Sequence, residues 1–137
     1  MKRNLFVNFI ICGCVGWCFE CFFSGLNAII QHKDAKLVCH SSVWMFPIYG
    51  LAAFISPISK RMRHLNIWLR GGIYTIGIFC VEFLSGLLLK KYKCCPWDYS
   101  NAKCNLLGVI RLDYAPLWFI VGLLYERLTS LSLQSGQ

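Results

Sequence analysis

The sequence predicts an all-α integral membrane protein, a four-helix bundle in a single polytopic domain over residues 1–128 with a disordered tail at 129–137. Three observations carry that reading. Apolar residues make up 57% of the chain and charged ones 15%, with a mean hydropathy of +0.54, too apolar for a soluble domain of 137 residues. The apolar residues fall in blocks near the roughly 20 residues that a helix needs to cross a bilayer core. The basic residues flank those blocks instead of lining one face. No Pro-, Ser- or Gly-rich linker divides the chain, so one compact unit is expected. The first apolar run is longer than the about 7–15 residues of a signal-peptide core, which argues against a cleaved leader.

Leu5 to Ile30 is the first expected span. At helical spacing, Asn8, Cys12, Gly16, Glu20, Ser24 and Asn27 fall on one stripe of small or polar residues. Small residues let helices approach closely and polar ones bond across the contact, so this stripe should face protein. Gln31 to Ser41 is a loop, and its His32 and His40 read as solvated residues rather than as a ligand pair. Ser42 to Ile58 is a second span, marginal in length, with Trp44 at its entry as an interfacial aromatic. Pro47 and Pro57 interrupt it. A proline frees a carbonyl and kinks a helix, so Met45 to Gly50 (MFPIYG) is expected to be a packing kink or a cavity wall.

Ser59 to Leu69 is a basic loop, and Arg70 to Leu89 is the third span. About ten large apolar residues contribute roughly −3 to −6 kcal/mol to its insertion, against up to about 3 kcal/mol for the central acid Glu82. The helix inserts with little margin, and Glu82 should point inward beside Thr75, Ile78, Ser85 and Gly86. Lys90 to Asn105 is a compact cap (KKYKCCPWDYSNAKCN). Pro96 stops any helix, Asp98 and Ser100 favour local side-chain turns, and Trp97 and Tyr99 suit an interface. Residues 106–128 carry the fourth span, with Arg111 and Asp113 near its start and Pro116 inside it. Leu106 to Ile110 belongs either to that helix or to a separate dip.

The halves look alike. Cys18 to Gly25 (CFECFFSG) parallels Cys80 to Gly86 (CVEFLSG), each with an acid in mid-span, and each acid-bearing helix precedes one with an early proline. Two tandem two-helix repeats would be parallel and would put Glu20 and Glu82 at similar depth. If their faces met, one would stay protonated, or Arg70 or Arg111 would compensate.

A net charge of +8 raises nucleic acid as a partner, but the placement of the bases beside apolar runs argues against it. Lys60, Arg61 and Arg63 suit anionic lipid headgroups instead. Five of the nine cysteines (Cys12, Cys14, Cys18, Cys21, Cys80) lie in apolar runs as small hydrophobes. Cys39, Cys94, Cys95 and Cys104 are loop residues that would pair on an oxidising side. No metal set, cofactor motif or catalytic nucleophile is present. The basic residues divide seven against seven across the membrane, so charge alone leaves orientation open. The Lys2-Arg3 pair before the first span favours cytoplasmic termini, in a membrane the sequence does not identify.

Several motifs appear in the order of a known family: Gly16-Trp17-x-x-Glu20, Pro47-Ile48-Tyr49-Gly50, Glu82 with Gly86, Trp97-Asp98-Tyr99-Ser100, and Asn105-x-x-Gly108-x-Ile110. From about Gly16 to Arg127 the chain resembles the bacterial CmpB-type ABC-transporter permease family. It resembles its animal branch, transmembrane protein 229, more closely still, through Ser42-Val43-Trp44, Cys95-Pro96-Trp97-Asp98-Tyr99-Ser100 and Asp113-Tyr114 followed by Trp118-Phe119. The resemblance implies a polytopic membrane protein of permease type. The chain contains no GxxxxGK[ST] loop with which to power transport. The bacterial pattern has Gly-Pro shortly before Pro-Ile-Tyr-Gly, where Val43 and Trp44 stand here.

Three functions fit. The first is a transporter-like, ligand-binding membrane protein. In it Glu20 and Glu82 form an intramembrane acidic site with Tyr49, Arg70 acts as counter-ion or anchor, and Asp98, Tyr99, Ser100 and Asn105 form a lid. The second is a structural or assembly subunit, in which the acids bond helices together. The third is an intramembrane enzyme acting on lipid, for which the sequence supplies carboxylates and nothing more specific. A non-enzyme is expected, in contact with the lipid bilayer and with copies of itself or another membrane subunit.

Overall fold

The computed structural model describes residues 4–134, with side chains through residue 130. Lys2 and Arg3, on which the expected orientation rests, lie outside the described residues. The fold is all-α, four rods in two antiparallel hairpins: α1 (Leu5–His32), a broken second rod of α2 (Met45–Gly50), a 3-10 turn (Leu51–Phe54) and α3 (Ile55–Arg61), then α4 (Ile67–Lys91) and α5 (Ala115–Gln134).

Local chemistry sets most of the ends. α1 stops at Lys33, which adopts left-handed φ/ψ (51°, 30°) and returns its N–H to the Ile29 carbonyl at 3.0 Å. α4 starts three residues earlier than expected, because the Asn66 side chain caps it by accepting from the Leu69 N–H at 2.9 Å. Pro47 is the third residue of α2, inside the first turn, where a missing N–H costs nothing. Pro57 cannot donate to the Ala53 carbonyl and its ring crowds that oxygen. The residues just before α3 tighten to 3-10 geometry, which breaks the second rod.

Two segments differ from expectation. Residues 105–111 are neither helix nor dip. They form a hairpin of β1 (Asn105–Leu106) and β2 (Ile110–Arg111), antiparallel, with Leu106 opposite Ile110. Leu107 and Gly108 both have positive φ (54° and 66°), and the Val109 N–H meets the Leu106 carbonyl at 3.0 Å, a type I′ turn. A 3-10 turn (Leu112–Tyr114) leads into α5, with Pro116 at its second position. The segment expected as a disordered tail is helical as far as Gln134, and Thr129 is buried. Residues 135–137 lie outside the described residues.

α1 packs on α2 and the following 3-10 turn, α4 packs on α5, and α3 closes the hairpins together against α5. The core joins Cys12, Ala53, Ile55, Tyr74, Val121 and Tyr125. The Tyr125 hydroxyl donates to the Cys12 carbonyl at 3.2 Å, tying the hairpins across the centre. Gly16 is the closest approach within the first hairpin. A Cβ there would overlap the Tyr49 ring.

The exterior is apolar. α1 and α4 are long and apolar enough to cross a membrane, and only 22% of each one's most apolar stretch is buried. The core helix of a soluble protein would be mostly buried, so their outward faces fit association with a membrane.

Candidate functional site

Two loops turn back along the acid-bearing helices. The first follows α1. The Trp17 indole donates to the Ser42 carbonyl at 3.0 Å, the Ser41 hydroxyl to Glu20 Oε2 at 2.8 Å, and the His40 N–H to Ser24 Oγ at 3.1 Å. Trp17, Glu20 and Ser24 are successive positions of one helix stripe, so three α1 side chains pin residues 40–42. Glu20 is therefore ordered by a hydroxyl rather than by a base.

The second loop covers α4. Gly86 has no side chain, and Val109 and Trp97 settle against its backbone. The Trp97 indole donates to the Val109 carbonyl at 2.8 Å. Behind it the cap is tied by short-range bonds. The Tyr99 N–H reaches the Gly108 carbonyl at 2.9 Å, the Gly108 N–H reaches Asn105 Oδ1 at 2.9 Å, and the Asn105 amide reaches the Ser100 carbonyl at 3.3 Å. Asp98 accepts from the Ser100 hydroxyl and from its N–H at 3.1 Å, and lies 3.6 Å from the Lys90 ammonium. The Ser100 bonds, with help from Lys90, hold the Asp98 carboxyl below the usual carboxylate range. Burial pushes the Tyr99 phenol up, so it remains a proton donor.

Between the hairpins lies a cavity of about 730 Å³, within the about 300–1,000 Å³ of small-molecule sites. Glu20, Glu82, Tyr49 and Tyr99 line it together, with Arg111 and His40 at its polar end and mostly aliphatic residues elsewhere. The α1 stripe explains one wall. It is buried at Asn8, Cys12 and Gly16, then becomes more exposed at Glu20, Ser24 and Asn27, where the cavity opens. The MFPIYG segment is both alternatives at once: Met45, Ile48 and Tyr49 line the cavity, while Phe46 packs on Trp17 with ring centroids 4.8 Å apart. Tyr49 lines the cavity with both acids.

Glu82 faces Tyr99 and Trp118. Yet Glu82 Oε2 and Trp118 Nε1 are buried without a hydrogen-bond partner among the described residues. Two unpartnered buried polar atoms on facing side chains are a geometry that a small adjustment or an added group would complete.

Arg70 stands elsewhere. It pairs with Glu126 at 3.3 Å and donates to the Leu65 carbonyl at 3.0 Å, near the start of α4. It does not line the cavity. Asp98, Ser100 and Asn105 likewise build the cap behind Tyr99 and do not line the cavity. Arg111, in contrast, lines the cavity. Its guanidinium chelates Asp113, reaches the Tyr114 hydroxyl at 3.2 Å and lies 4.4 Å from that ring's centroid. Pairing with Arg111 lowers the Asp113 carboxyl and raises the guanidinium. Tyr114, Trp118, Val121 and Tyr125 also face the cavity. Their spacing of four, three and four was a visible stripe in the sequence. The sequence placed Trp97 in the cap but not in the cavity wall, and nothing local marked Glu126.

No solved structure matches this chain. A family model of CmpB type matches residues 7–136, nearly the full length, with the motifs quoted above inside the matched region. On that match the chain belongs to the CmpB family, described as "Putative ABC-transporter type IV".

Proposed function

We propose that this chain is a multi-span membrane protein that binds an amphipathic ligand between its two helix hairpins, with Glu20 and Glu82 as the polar anchors. One observation carries the reading: both acids, from helices in different hairpins, open into the same apolar cavity. An acid in a membrane-spanning helix is costly to place there and is retained where it contacts a ligand or a partner. The cavity is amphipathic in the same sense as the ligand, since acids, tyrosines and aliphatic side chains all line it.

Four spans are supported by lengths and faces. α5 has 20 residues, about 30 Å of helix, and the broken second rod covers about 25 Å. α5 turns large apolar side chains outward, among them Ile120 and Leu124, and the exposed Phe54 and Ile58 of the second rod border the cavity. In this reading Lys60, Arg61 and Arg63, exposed around the end of α3, meet anionic headgroups, and the termini are cytoplasmic. A transport role of ABC type places ATP hydrolysis outside these 137 residues, which contain no GxxxxGK[ST] loop.

The test is native mass spectrometry of the full chain in mild detergent, beside Glu20→Gln and Glu82→Gln. A defined bound mass is expected in the wild type and should be lost from folded variants. A wild type carrying nothing beyond random lipid, with variants that dissociate or unfold, would make the acids structural and favour an assembly subunit instead.

A further inference from the structure

The polar end of the cavity is walled by aromatic rings set at right angles. Tyr99 meets Tyr114 edge to face, with centroids 5.9 Å apart and planes at 83°, and Tyr114 meets Trp118 in the same way at 6.3 Å and 88°. Two successive perpendicular contacts do not make a stack. They make adjoining sides of a box, and Trp97 and Tyr49 line the same cavity. Glu82 adjoins two of these walls, Tyr99 and Trp118. The Tyr114 ring already receives one cation, the Arg111 guanidinium.

This chemistry distinguishes among cations. A primary ammonium brings three N–H donors and needs three acceptors. The Glu82 carboxylate and the Tyr99 and Tyr114 hydroxyls are the acceptors at this end, and ring faces make up the rest of the box, a lining better matched to a cation that donates no hydrogen bond. A quaternary ammonium donates no hydrogen bond, spreads its charge over methyl groups, and is held by ring quadrupoles with an acid close by. Arg111 does not cancel that acid, since its own charge is chelated by Asp113 outside the cavity lining. Beyond the box, Ile73, Ile78, Leu117 and Val121 offer an aliphatic wall.

We propose that the cavity selects an amphiphile with a quaternary ammonium head, seated in the box of Tyr99, Tyr114 and Trp118 beside Glu82, with its chain along the aliphatic wall. The proposal rests on the ligand-binding reading above and narrows it to one class of head group.

The experiment compares two probes of one chain length on the full protein in maltoside micelles, which contain no ammonium. Dodecyltrimethylammonium carries the charge. Dodecyldimethylamine N-oxide, nearly the same shape, has no net charge at neutral pH. Binding is followed by tryptophan fluorescence. We expect the ammonium probe to bind about tenfold more tightly. The chain's +8 charge would bias non-specific binding the other way. Tyr114→Leu, Trp118→Leu and Glu82→Gln should each lower ammonium affinity about fivefold or more and lower N-oxide affinity by a smaller factor, so that the ratio of the two affinities falls toward one. If a variant fails to fold, the wild-type comparison decides. Equal affinities within about twofold would overturn ammonium selection and leave amphiphile binding standing. Saturable binding of neither probe would overturn both readings. Tetramethylammonium as competitor separates the sources. Weak competition assigns the head group of a lipid-like molecule, and competition comparable to the dodecyl probe assigns a small soluble cation.

Discussion

Arg70 and Glu126 hold the start of α4 against the second half of α5, with side chains about one-fifth exposed. Removing Arg70 leaves the Glu126 carboxylate inside the bundle without its ion pair. Arg70→Met should therefore cost about 1–3 kcal/mol, read as a lower unfolding temperature in detergent, while probe binding at the distant cavity persists. Loss of binding with unchanged stability would return Arg70 to the site. Outside the helices, Asp98 and Asp113 both sit below the ordinary carboxylate value of about 3.9. A depressed folded-state pKa adds stability above the unfolded value and loses it as pH falls through the folded one. The cap should thus stay closed from neutral pH to about 4 and loosen below that. Hydrogen exchange across residues 92–111 would show it, and Asp98→Asn should flatten part of that acid limb. The sequence marked Asp98 and Ser100 correctly as a local turn, because residues two apart bond without help from the rest of the fold. It did not mark Glu126 as the partner of Arg70, since 56 positions separate them and only the antiparallel packing of α4 on α5 joins them.

Elements show the same division. The two prolines and Asn66 act on their own neighbours, and their effects on helix ends follow from backbone sterics and capping alone. The hairpin at 105–111 was less visible. Leu107 in left-handed geometry is an unusual choice, and the apolar run Leu106 to Ile110 reads equally well as helix. Gly108 decides it. Its φ of +66° suits glycine, and an added Cβ would also press on Ser100 Oγ and Lys90 Nζ. Gly108→Ala should cost about 1–3 kcal/mol in thermal unfolding and should open the cap to exchange before the helices unfold. A variant with wild-type exchange in 92–111 would show that the turn does not hold the cap.

For the whole molecule, the apolar exterior and the inward acids are two halves of one constraint. In the membrane-spanning arrangement proposed above, α4 would insert with a margin of only a few kcal/mol because it already carries Glu82. Leu84 sits two residues away on the outward side and is 67% exposed. Leu84→Lys would add about 2.5–3.5 kcal/mol at depth and should prevent α4 from inserting, as glycosylation mapping in microsomes would report. Tyr92→Lys, past the helix end and exposed, serves as the neutral control. Equal insertion of both variants would remove α4 from the bilayer.

Composition, the length of apolar blocks and the flanking charges were enough to establish a helical bundle with an apolar exterior, since those depend on each residue's affinity for water and on a period of 3.6. The inward stripe of α1, and with it the direction of Glu20, follows from the same period. The cavity does not. Its walls come from α1, α2, α4, α5 and two loops that turn back along their helices. Which side chains share it depends on how two hairpins pack. Only the tertiary structure brings Glu20, Glu82, Tyr99, Tyr114 and Trp118 to one volume and leaves Arg70 outside, because glycines at the helix contacts and the Tyr125–Cys12 bond set the spacing between elements far apart in the chain.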